Sequence, residues 1–396
     1  MFIYGTQEFL KKTRPTFNLG GVVEPTCEKL SAMQHGNYIL HARGGALEQI
    51  PAEKSEVPHD PDGHTQRVQI ALHPNGSIYI SQGTLMSRSD DGGRTWAAHE
   101  SPWKSGPNSP FTILDDGMFI GVKADSPDGE PDIWAFMSSD EGRTWEKIGR
   151  VGEPGQLSVR HAGSNLCRLS EDGLVIAVES RERWCGDPEF VYRSKDGGKT
   201  WAGPIKVNMP FGDVLTTERG YICGASYETS IGKMASGRLL ACIRYHGSVV
   251  ENWPLFSRDP FAHYKTVFLS DSIDDGETWH NLRPLANVHG QCHGDPLGLR
   301  NGSVIVTHDH RYTPGTPCGR AMISHNEGET WEDEAYYLYF GAGQSGFSQS
   351  LELEDGTILT VGAKSEFTKA TRGKDWFGRA DLTAIRWNPA SPSGTV

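Results

Sequence analysis

The sequence predicts an all-β fold built from a repeated antiparallel unit, and two repeating patterns indicate it. An eight-residue turn motif occurs five times, and a glycine-centred hairpin turn occurs seven times, in 396 residues. Glycine occupies 47 positions and hydrophobic residues make up 36% of the chain, as in a folded protein rich in turns. Because repeats allow one all-β domain to reach this length, we expect a single domain over residues 1–396.

The turn motif reads Ser-x-Asp-x-Gly-x-Thr-Trp, with Asn in place of Asp in its last copy. Its copies begin at Ser89, Ser138, Ser194, Ser272 and Ser324. A short Asp or Asn side chain accepts hydrogen bonds from turn amides, and glycine permits a positive φ. The tryptophan supplies a large surface for packing between sheets. We therefore interpret the motif as a fold element and not as a set of catalytic carboxylates.

The second pattern is a hairpin turn flanked by alternating apolar residues, which is typical of two paired strands. The turn glycines are Gly36, Gly76, Gly117, Gly173, Gly237, Gly302 and Gly356. Seven hairpins predict seven four-stranded antiparallel sheets, with six as the alternative. The polar, proline-containing segment 46–63 is interpreted either as a loop at the mouth of the fold or as a weak strand.

The turn motif resembles the Asp box of the sialidase superfamily, and the resemblance spans most of the chain. It implies a β-propeller of seven blades, or of six as in true sialidases, with the boxes at the outer edge. Ligand groups of a propeller collect where the inner strands meet the central channel. Function is therefore expected at the channel mouth, far from the boxes.

The hairpin glycines provide a common register for locating that mouth. Arg67, Glu228 and His293 each stand nine residues before such a glycine, and Arg43 and Arg244 each stand seven residues after one. The first set is expected to begin innermost strands and the second to end the adjacent strands at the same rim. These five side chains are the candidates that geometry alone selects.

The resemblance adds roles to some of these positions. The segments 227–231 and 237–244 resemble the sialidase region with the catalytic glutamate and second arginine, which implies that Glu228 is a base and that Arg244 grips a substrate carboxylate. The segment 319–321 resembles the region of the third arginine and adds Arg320. Two departures set this chain apart from true sialidases. Phe347 aligns with the nucleophilic tyrosine, and the first arginine motif is missing from residues 26–30, where Arg43 or Arg67 are possible substitutes.

Three functions follow as hypotheses. The first is hydrolysis of a glycosidic bond at an acidic sugar by Glu228, with Asp295 or Asp62 as a second carboxyl group. The second is β-elimination from a uronate, as in lyases of the rhamnose–glucuronate type, with His293 or His161 as the base. The third is a non-catalytic propeller that binds an acidic glycan. The remaining candidates for substrate binding are His64, Tyr227 and Arg311.

Composition restricts the partners. A net charge of -12 argues against nucleic acid binding, and no apolar run predicts a membrane span. Seven cysteines without a C-x-x-C pair predict free buried thiols and a cytoplasmic location. The sequence contains no phosphate-binding glycine loop, so no nucleotide cofactor is predicted. His308 and His310 are interpreted as structural histidines, so no metal is expected.

Overall fold

Strands account for most of the residues that the structure describes. The computed structural model describes residues 23, 25–59, 68–105, 109–125, 132–153, 159–180, 189–207, 215–217, 220–249, 264–285, 291–310, 318–331, 334–340, 348–364 and 381–390. Within these ranges there is one α-helix, α1 (Cys27–His35). No helix in these ranges is long and apolar enough to cross a membrane.

The strands follow one another in short antiparallel hairpins. In chain order they are β1 (Tyr38–Arg43), β2 (Ala46–Val57), β3 (Gln69–Leu72), β4 (Ile78–Ser89), β5 (Ala97–Ser105), β6 (Phe111–Ile113), β7 (Phe119–Asp125), β8 (Asp132–Ser138), β9 (Glu146–Arg150), β10 (Val159–Arg168), β11 (Leu174–Ser180), β12 (Glu189–Ser194), β13 (Ala202–Lys206), β14 (Leu215–Thr217), β15 (Gly220–Lys233), β16 (Leu239–Val249), β17 (Tyr264–Ser272), β18 (His280–Pro284), β19 (Gln291–Gly298), β20 (Val304–His310), β21 (Cys318–Ser324), β22 (Glu334–Phe340), β23 (Gln349–Glu352), β24 (Ile358–Lys364) and β25 (Asp381–Trp387).

Successive strands form the repeated sheets that the sequence predicts. Strands β6–β9 and β10–β13 are four-stranded sheets in chain order, and β15–β18 form another with β14 added at its first edge. Strands β3–β5 form a three-stranded sheet, and a nine-stranded sheet contains β19–β22 and β23–β25. All the strand pairs in these sheets are antiparallel. The predicted all-β class is therefore confirmed.

The first strands of these sheets surround a common centre. Among the described residues, β3, β6, β10, β15, β19 and β23 contact one another in that order, and β23 contacts β3 to close the ring. Each of these strands runs into one of the predicted hairpin glycines, from Gly76 to Gly356. Six inner strands that form a closed ring, each followed outward by antiparallel strands, are consistent with a β-propeller, the architecture that the repeats imply.

The N-terminal hairpin closes the ring and is not a seventh sheet. Strand β1 pairs with β22, and β2 pairs with β25, so this hairpin lies at the outer edges of the two sheets that begin with β19 and β23. Gly36 is not a hairpin turn: it ends α1, which begins after Thr26, whose side chain accepts a hydrogen bond from the Lys29 backbone N–H at 3.4 Å. The prediction of seven blades is therefore not confirmed, and the described strands fit the alternative of six.

The misplacement of the first hairpin in the sequence prediction has a local cause. An alternating strand can sit at the inner or the outer edge of a sheet, because both edges present one buried and one more exposed face. The segment 46–63, predicted to be a mouth loop or a weak strand, contains the long strand β2 over Ala46–Val57. Its pairing with β25 joins the N-terminal part of the chain to the C-terminal part.

The Asp boxes make the turns that were expected of them. In the second copy, Ser138 Oγ donates to Asp140 Oδ1 at 2.8 Å and accepts from the Gly142 N–H at 2.9 Å. The Thr144 N–H donates to Asp140 Oδ1 at 2.8 Å, and the other copies repeat the pattern. Burial opposes the charge of Asp140, but these hydrogen bonds outweigh it and lower its pKa to about 2. The first box connects β4 to β5, the second and third strands of a three-stranded sheet, and each later box connects the third strand counted from the inner ring to the fourth. No described box residue lies in an inner-ring strand.

The core consists of apolar layers between neighbouring sheets. One layer joins Ile120 and Val122 of β7 to Ile176 and Val178 of β11, and equivalent layers separate other neighbouring sheets. Burying each such side chain contributes about 1.5–3 kcal/mol. The thiols of Cys167, Cys242 and Cys318 are buried and are not in disulfides, as expected.

Candidate functional site

The candidate site begins with irregular backbone in three neighbouring inner strands. The pairing register shifts between Ala162 and Leu166 in β10, between Tyr227 and Ser230 in β15, and between Cys292 and Asp295 in β19. Such bulges turn a side chain away from the regular strand direction. The three bulges carry Ser164, Glu228 and His293, which share the position nine residues before a hairpin glycine.

Two of these bulges hold a residue in a strained conformation. Glu228 has φ 52° and His293 has φ 50°, which is the left-handed region that non-glycine residues rarely adopt. Left-handed residues of this kind cost free energy and concentrate at functional sites. The conformation brings the two side chains into contact across the gap between β15 and β19.

The Glu228 carboxylate is the centre of a charged group. Its Oε2 atom contacts both Nη1 of Arg244 and Nε2 of His293. Arg244 stands on β16, and its Nη1 lies 2.7 Å from His293 Nε2 because both atoms approach the same oxygen. The side chains of Glu228 and Arg244 are 13% and 12% exposed, whereas that of His293 is only 2% exposed. Among the three, the glutamate and the arginine therefore reach solvent.

Asp309 extends the group on the far side of His293. Its Oδ1 atom lies 3.2 Å from His293 Nδ1, and its own side chain has no exposed surface. A histidine between two carboxylates satisfies both of them when it is protonated at both nitrogens. Glu228, Arg244, His293 and Asp309 thus form one connected group of side chains. We call these four residues the central quartet.

Backbone hydrogen bonds hold Glu228 in place. Its N–H donates to Glu179 Oε1 at 2.9 Å, and its carbonyl oxygen accepts from Ser164 Oγ at 2.9 Å. The Ser164 carbonyl oxygen in turn accepts from Gln69 Nε2 at 2.8 Å and from Gln349 Nε2 at 3.3 Å. Residues from strands on several sides of the ring thus fix the left-handed bulge.

Three of the five candidates selected by the glycine spacing lie in one place in the structure. Glu228, Arg244 and His293 meet as the glycine spacing predicted. Asp309 also obeys the spacing, since it stands seven residues after Gly302, but the sequence interpretation gave it no role. Glu179 was missed because it stands one position before the expected rim, and no sequence signal indicated its contact with the Glu228 amide.

Arg43 lies elsewhere, and its predicted place at the rim is wrong. It stands on β1, which lies between β22 and β2, and its Nη1 is 3.4 Å from Glu334 Oε2. The spacing failed because it was counted from Gly36, which ends a helix and does not turn a hairpin.

Arg320 has no exposed surface and lies directly across from His308 in the β20–β21 pair. Side chains alternate along a strand, so His308 and Arg320 occupy the face of the sheet opposite to Asp309. Burial and the charge of Arg320 lower the pKa of His308 to about 3, which keeps this histidine neutral. Arg320 is therefore not part of the central quartet.

Asp295 is a buried carboxyl group on the same strand as His293. Burial raises its pKa to about 7, against the effect of a hydrogen bond from the Ser350 backbone. A substantial part of Asp295 is consequently protonated near neutral pH. It pairs with Thr307 just after the bulge in β19.

The remaining candidates lie outside the described residues or side chains. His64, Arg67 and Arg311 are among them, as are Asp62 and Phe347. His161 and Tyr227 have described backbone positions in β10 and β15, opposite Glu179 and Arg244. In the described part of the chain, no group of three or more His, Cys, Asp and Glu side chains has a geometry that could hold a metal ion.

Comparison with solved structures finds the same fold in carbohydrate-active proteins. An α-L-arabinanase from Penicillium chrysogenum complexed with arabinobiose is 15% identical, with 82% of this chain and 95% of that chain covered and a TM-score of 0.55. An α-L-arabinofuranosidase from Fusarium graminearum is 12% identical, with coverages of 84% and 97% and a TM-score of 0.59. A leech intramolecular trans-sialidase is 12% identical, with coverages of 83% and 68% and a TM-score of 0.54.

At these identities the likeness establishes the fold alone. A search of curated proteins finds no significant sequence match. The BNR repeat-like domain, however, matches residues 117–360, which is more than half of the chain and includes the central quartet. The repeated boxes and the ring of antiparallel sheets agree with this match, and the chain belongs to the BNR repeat-like domain family.

Proposed function

We propose that this protein is a glycoside hydrolase and that Glu228 is the carboxylate that acts on the substrate. The observation that carries the proposal is the contact of Glu228 with both Arg244 and His293 on a left-handed bulge of the inner ring. Opposite charges beside a carboxyl group favour its ionised form. Glu228 is thus suited to accept a proton from water or from another nucleophile, and 13% of its side chain remains open to solvent.

Hydrolysis in this scheme needs two proton movements. Water adds to the anomeric carbon and passes a proton to Glu228, while the bond to the leaving oxygen breaks and that oxygen takes a proton from an acid. Hydrolases commonly use a second carboxyl group as the acid. Asp295 has the appropriate protonation state but is enclosed, with 7% of its surface exposed. Asp62 is the other candidate.

The arginines bear on the choice of sugar. Arg43 is paired with Glu334, Arg320 is wholly buried, and Arg244 already contacts Glu228. A carboxylate-binding site uses arginine N–H groups that remain available to two oxygens. This distribution favours a neutral sugar at the quartet. An acidic sugar is the alternative, and it requires Arg67 or Arg311 to supply positive charge.

Elimination from a uronate fits the quartet less well. A base must reach the proton next to the sugar carboxylate. Both nitrogens of His293 contact carboxylates, and its side chain is 2% exposed, so it is poorly placed to do so. His161 is the remaining candidate for that base. Binding without cleavage is the third possibility, motivated by phenylalanine at position 347 where sialidases have their nucleophilic tyrosine.

The test uses paired substrates and one substitution. Arabino-oligosaccharides, sialosides and matched aryl glucosides and glucuronides are incubated with the protein, and new reducing ends and near-ultraviolet absorbance are measured. We expect reducing ends without absorbance, and a loss of about 1,000-fold in kcat for Glu228→Gln. The matched control is Glu277→Gln, the same change on the outer box turn, where Glu277 is 58% exposed and pairs with Arg193.

Each outcome separates the alternatives. Full activity of Glu228→Gln would rule out the proposed chemistry. Absorbance during turnover would indicate elimination, and binding of a glycan without any product would indicate a binding propeller. Cleavage of the glucuronide but not of the glucoside would show that the substrate is an acidic sugar and not a neutral one.

A further inference from the structure

His293 and Asp309 share a geometry that differs from that of a reacting base. His293 is almost fully buried between two carboxylates, with Glu228 at Nε2 and Asp309 at Nδ1. Asp309 has no exposed surface and no route to a substrate except through the ring. The three residues therefore form a line that starts in the interior and ends at the exposed carboxylate of Glu228.

We infer that Asp309 and His293 are positioning residues, which hold the Glu228 carboxylate in one orientation and keep a positive charge against it. This inference rests on the proposed function. A long glutamate side chain has several rotamers, and fixing one of them beside a substrate lowers the barrier to reaction by avoiding an entropy loss. His293 fixes the orientation through its contact with Oε2.

Asp309 acts one step further away. An imidazole ring can rotate or change its tautomer, and a carboxylate bound to one nitrogen selects the proton positions at both. With Asp309 accepting from Nδ1, His293 donates from Nε2 to Glu228 only in its imidazolium form, in which both ring nitrogens carry protons. Arg244 approaches the same Oε2 atom from β16, so the arginine and the imidazole act on one oxygen together.

The strained backbone supports this assignment. Glu228 and His293 both adopt left-handed φ angles, of 52° and 50°, in neighbouring strands. Other non-glycine residues with positive φ, such as Glu141, Asp275 and Glu327, stand in box turns, whereas Glu228 and His293 stand in bulges of inner strands and contact each other. Each such residue costs about 1–3 kcal/mol. The quartet is held in a conformation that the local sequence does not favour.

A double-mutant cycle tests the inference. His293→Gln keeps an amide donor but removes the charge, and Asp309→Asn removes the carboxylate with little change in shape. We expect each single variant to lower kcat by about 100-fold and to change KM by less than about threefold, because the lost interaction is made in the transition state. The double variant is expected to be no worse than His293→Gln alone, since Asp309 acts only through the ring.

The matched control is His41→Gln, which removes another buried histidine that lies 2.8 Å from a glutamate, far along the chain from the quartet. We expect it to lower the melting temperature and to leave kcat unchanged. Losses that multiply in the double variant, or an Asp309→Asn enzyme with wild-type kcat, would overturn the inference while Glu228→Gln stays inactive. Full activity of Glu228→Gln would instead overturn the proposed function itself.

Discussion

The protein contains two clusters in which a glutamate contacts both a histidine and an arginine, and they differ in backbone conformation and in exposure. The central quartet joins Glu228 to an arginine and a histidine at the inner ring. The closure cluster, which we define as Glu334, His41, Arg43 and Tyr336, joins another glutamate to an arginine and a histidine at the outer edge of the sheets. Composition alone does not distinguish them.

The backbone and the exposure distinguish them. Glu334 stands in the regular strand β22, is 1% exposed, and contacts His41, Arg43 and the Tyr336 hydroxyl. Its carboxylate is fully engaged inside the protein. Glu228 stands on a left-handed bulge and is 13% exposed. The comparison teaches that the same Glu–His–Arg grouping is enclosed when it stands in regular strands and is partly open to solvent when a bulge carries its glutamate.

The closure cluster also links distant parts of the chain. The ring of Tyr336 stacks on His41 at 4.7 Å and lies 4.8 Å from Trp387, while its hydroxyl oxygen accepts a hydrogen bond from the Ala390 N–H at 3.0 Å. These contacts tie β1 and the residues after β25 to β22. The cluster therefore stabilises the closure that β2 makes with β25.

The largest expected effect in the closure cluster comes from Glu334→Gln. Removing one partner of a buried charged group leaves the others uncompensated, at a cost of about 3–5 kcal/mol. We expect the free energy of unfolding, measured in urea, to fall by about that amount, and kcat per folded molecule to stay at the wild-type value. A loss of kcat without a loss of stability would show that the two clusters are not separate in role.

A smaller effect is expected from changing Glu179, which accepts a hydrogen bond from the backbone of Glu228 in the central quartet. Glu179→Ala removes the acceptor of the Glu228 N–H, so the left-handed bulge is held less firmly. We expect kcat to fall about tenfold, which corresponds to about 1.4 kcal/mol. Glu179→Gln is the control, because its amide oxygen can still accept that hydrogen bond. Equal losses in both variants would contradict a role through the backbone.

The smallest expected effect is a difference in acid sensitivity. Burial opposes the charge of Glu334, but hydrogen bonds from His41 and Tyr336 outweigh it and lower its pKa below the ordinary value of 4.5. A lowered carboxyl pKa contributes stability above the unfolded value and loses it as the pH falls through the folded value. The Gln variant lacks this contribution at every pH. We therefore expect the wild type to lose more unfolding free energy between pH 7 and pH 3.5 than Glu334→Gln does. Equal losses in the wild type and in Glu334→Gln would mean that the ionised Glu334 carboxylate does not stabilise the closure cluster.

The sequence by itself determined the local parts of this protein. Turn chemistry depends on a few adjacent residues, so the five box turns and the six later hairpins were predictable from their Asp, Asn, Ser and Gly positions. The spacing from those glycines then brought Glu228, Arg244 and His293 to one place, because equal spacing in a repeat gives equal height on neighbouring strands.

Tertiary structure decided what depends on long-range pairing. β1 pairs with β22 and β2 pairs with β25, which lie nearly 300 residues or more further along the chain. This long-range pairing places Arg43 away from the rim. The face on which Arg320 lies, and the contacts of Asp309 and Glu179, depend on bulges that shift the register by a residue or two. No local pattern encodes such pairings, since an alternating strand fits several partners and only the closed ring selects among them.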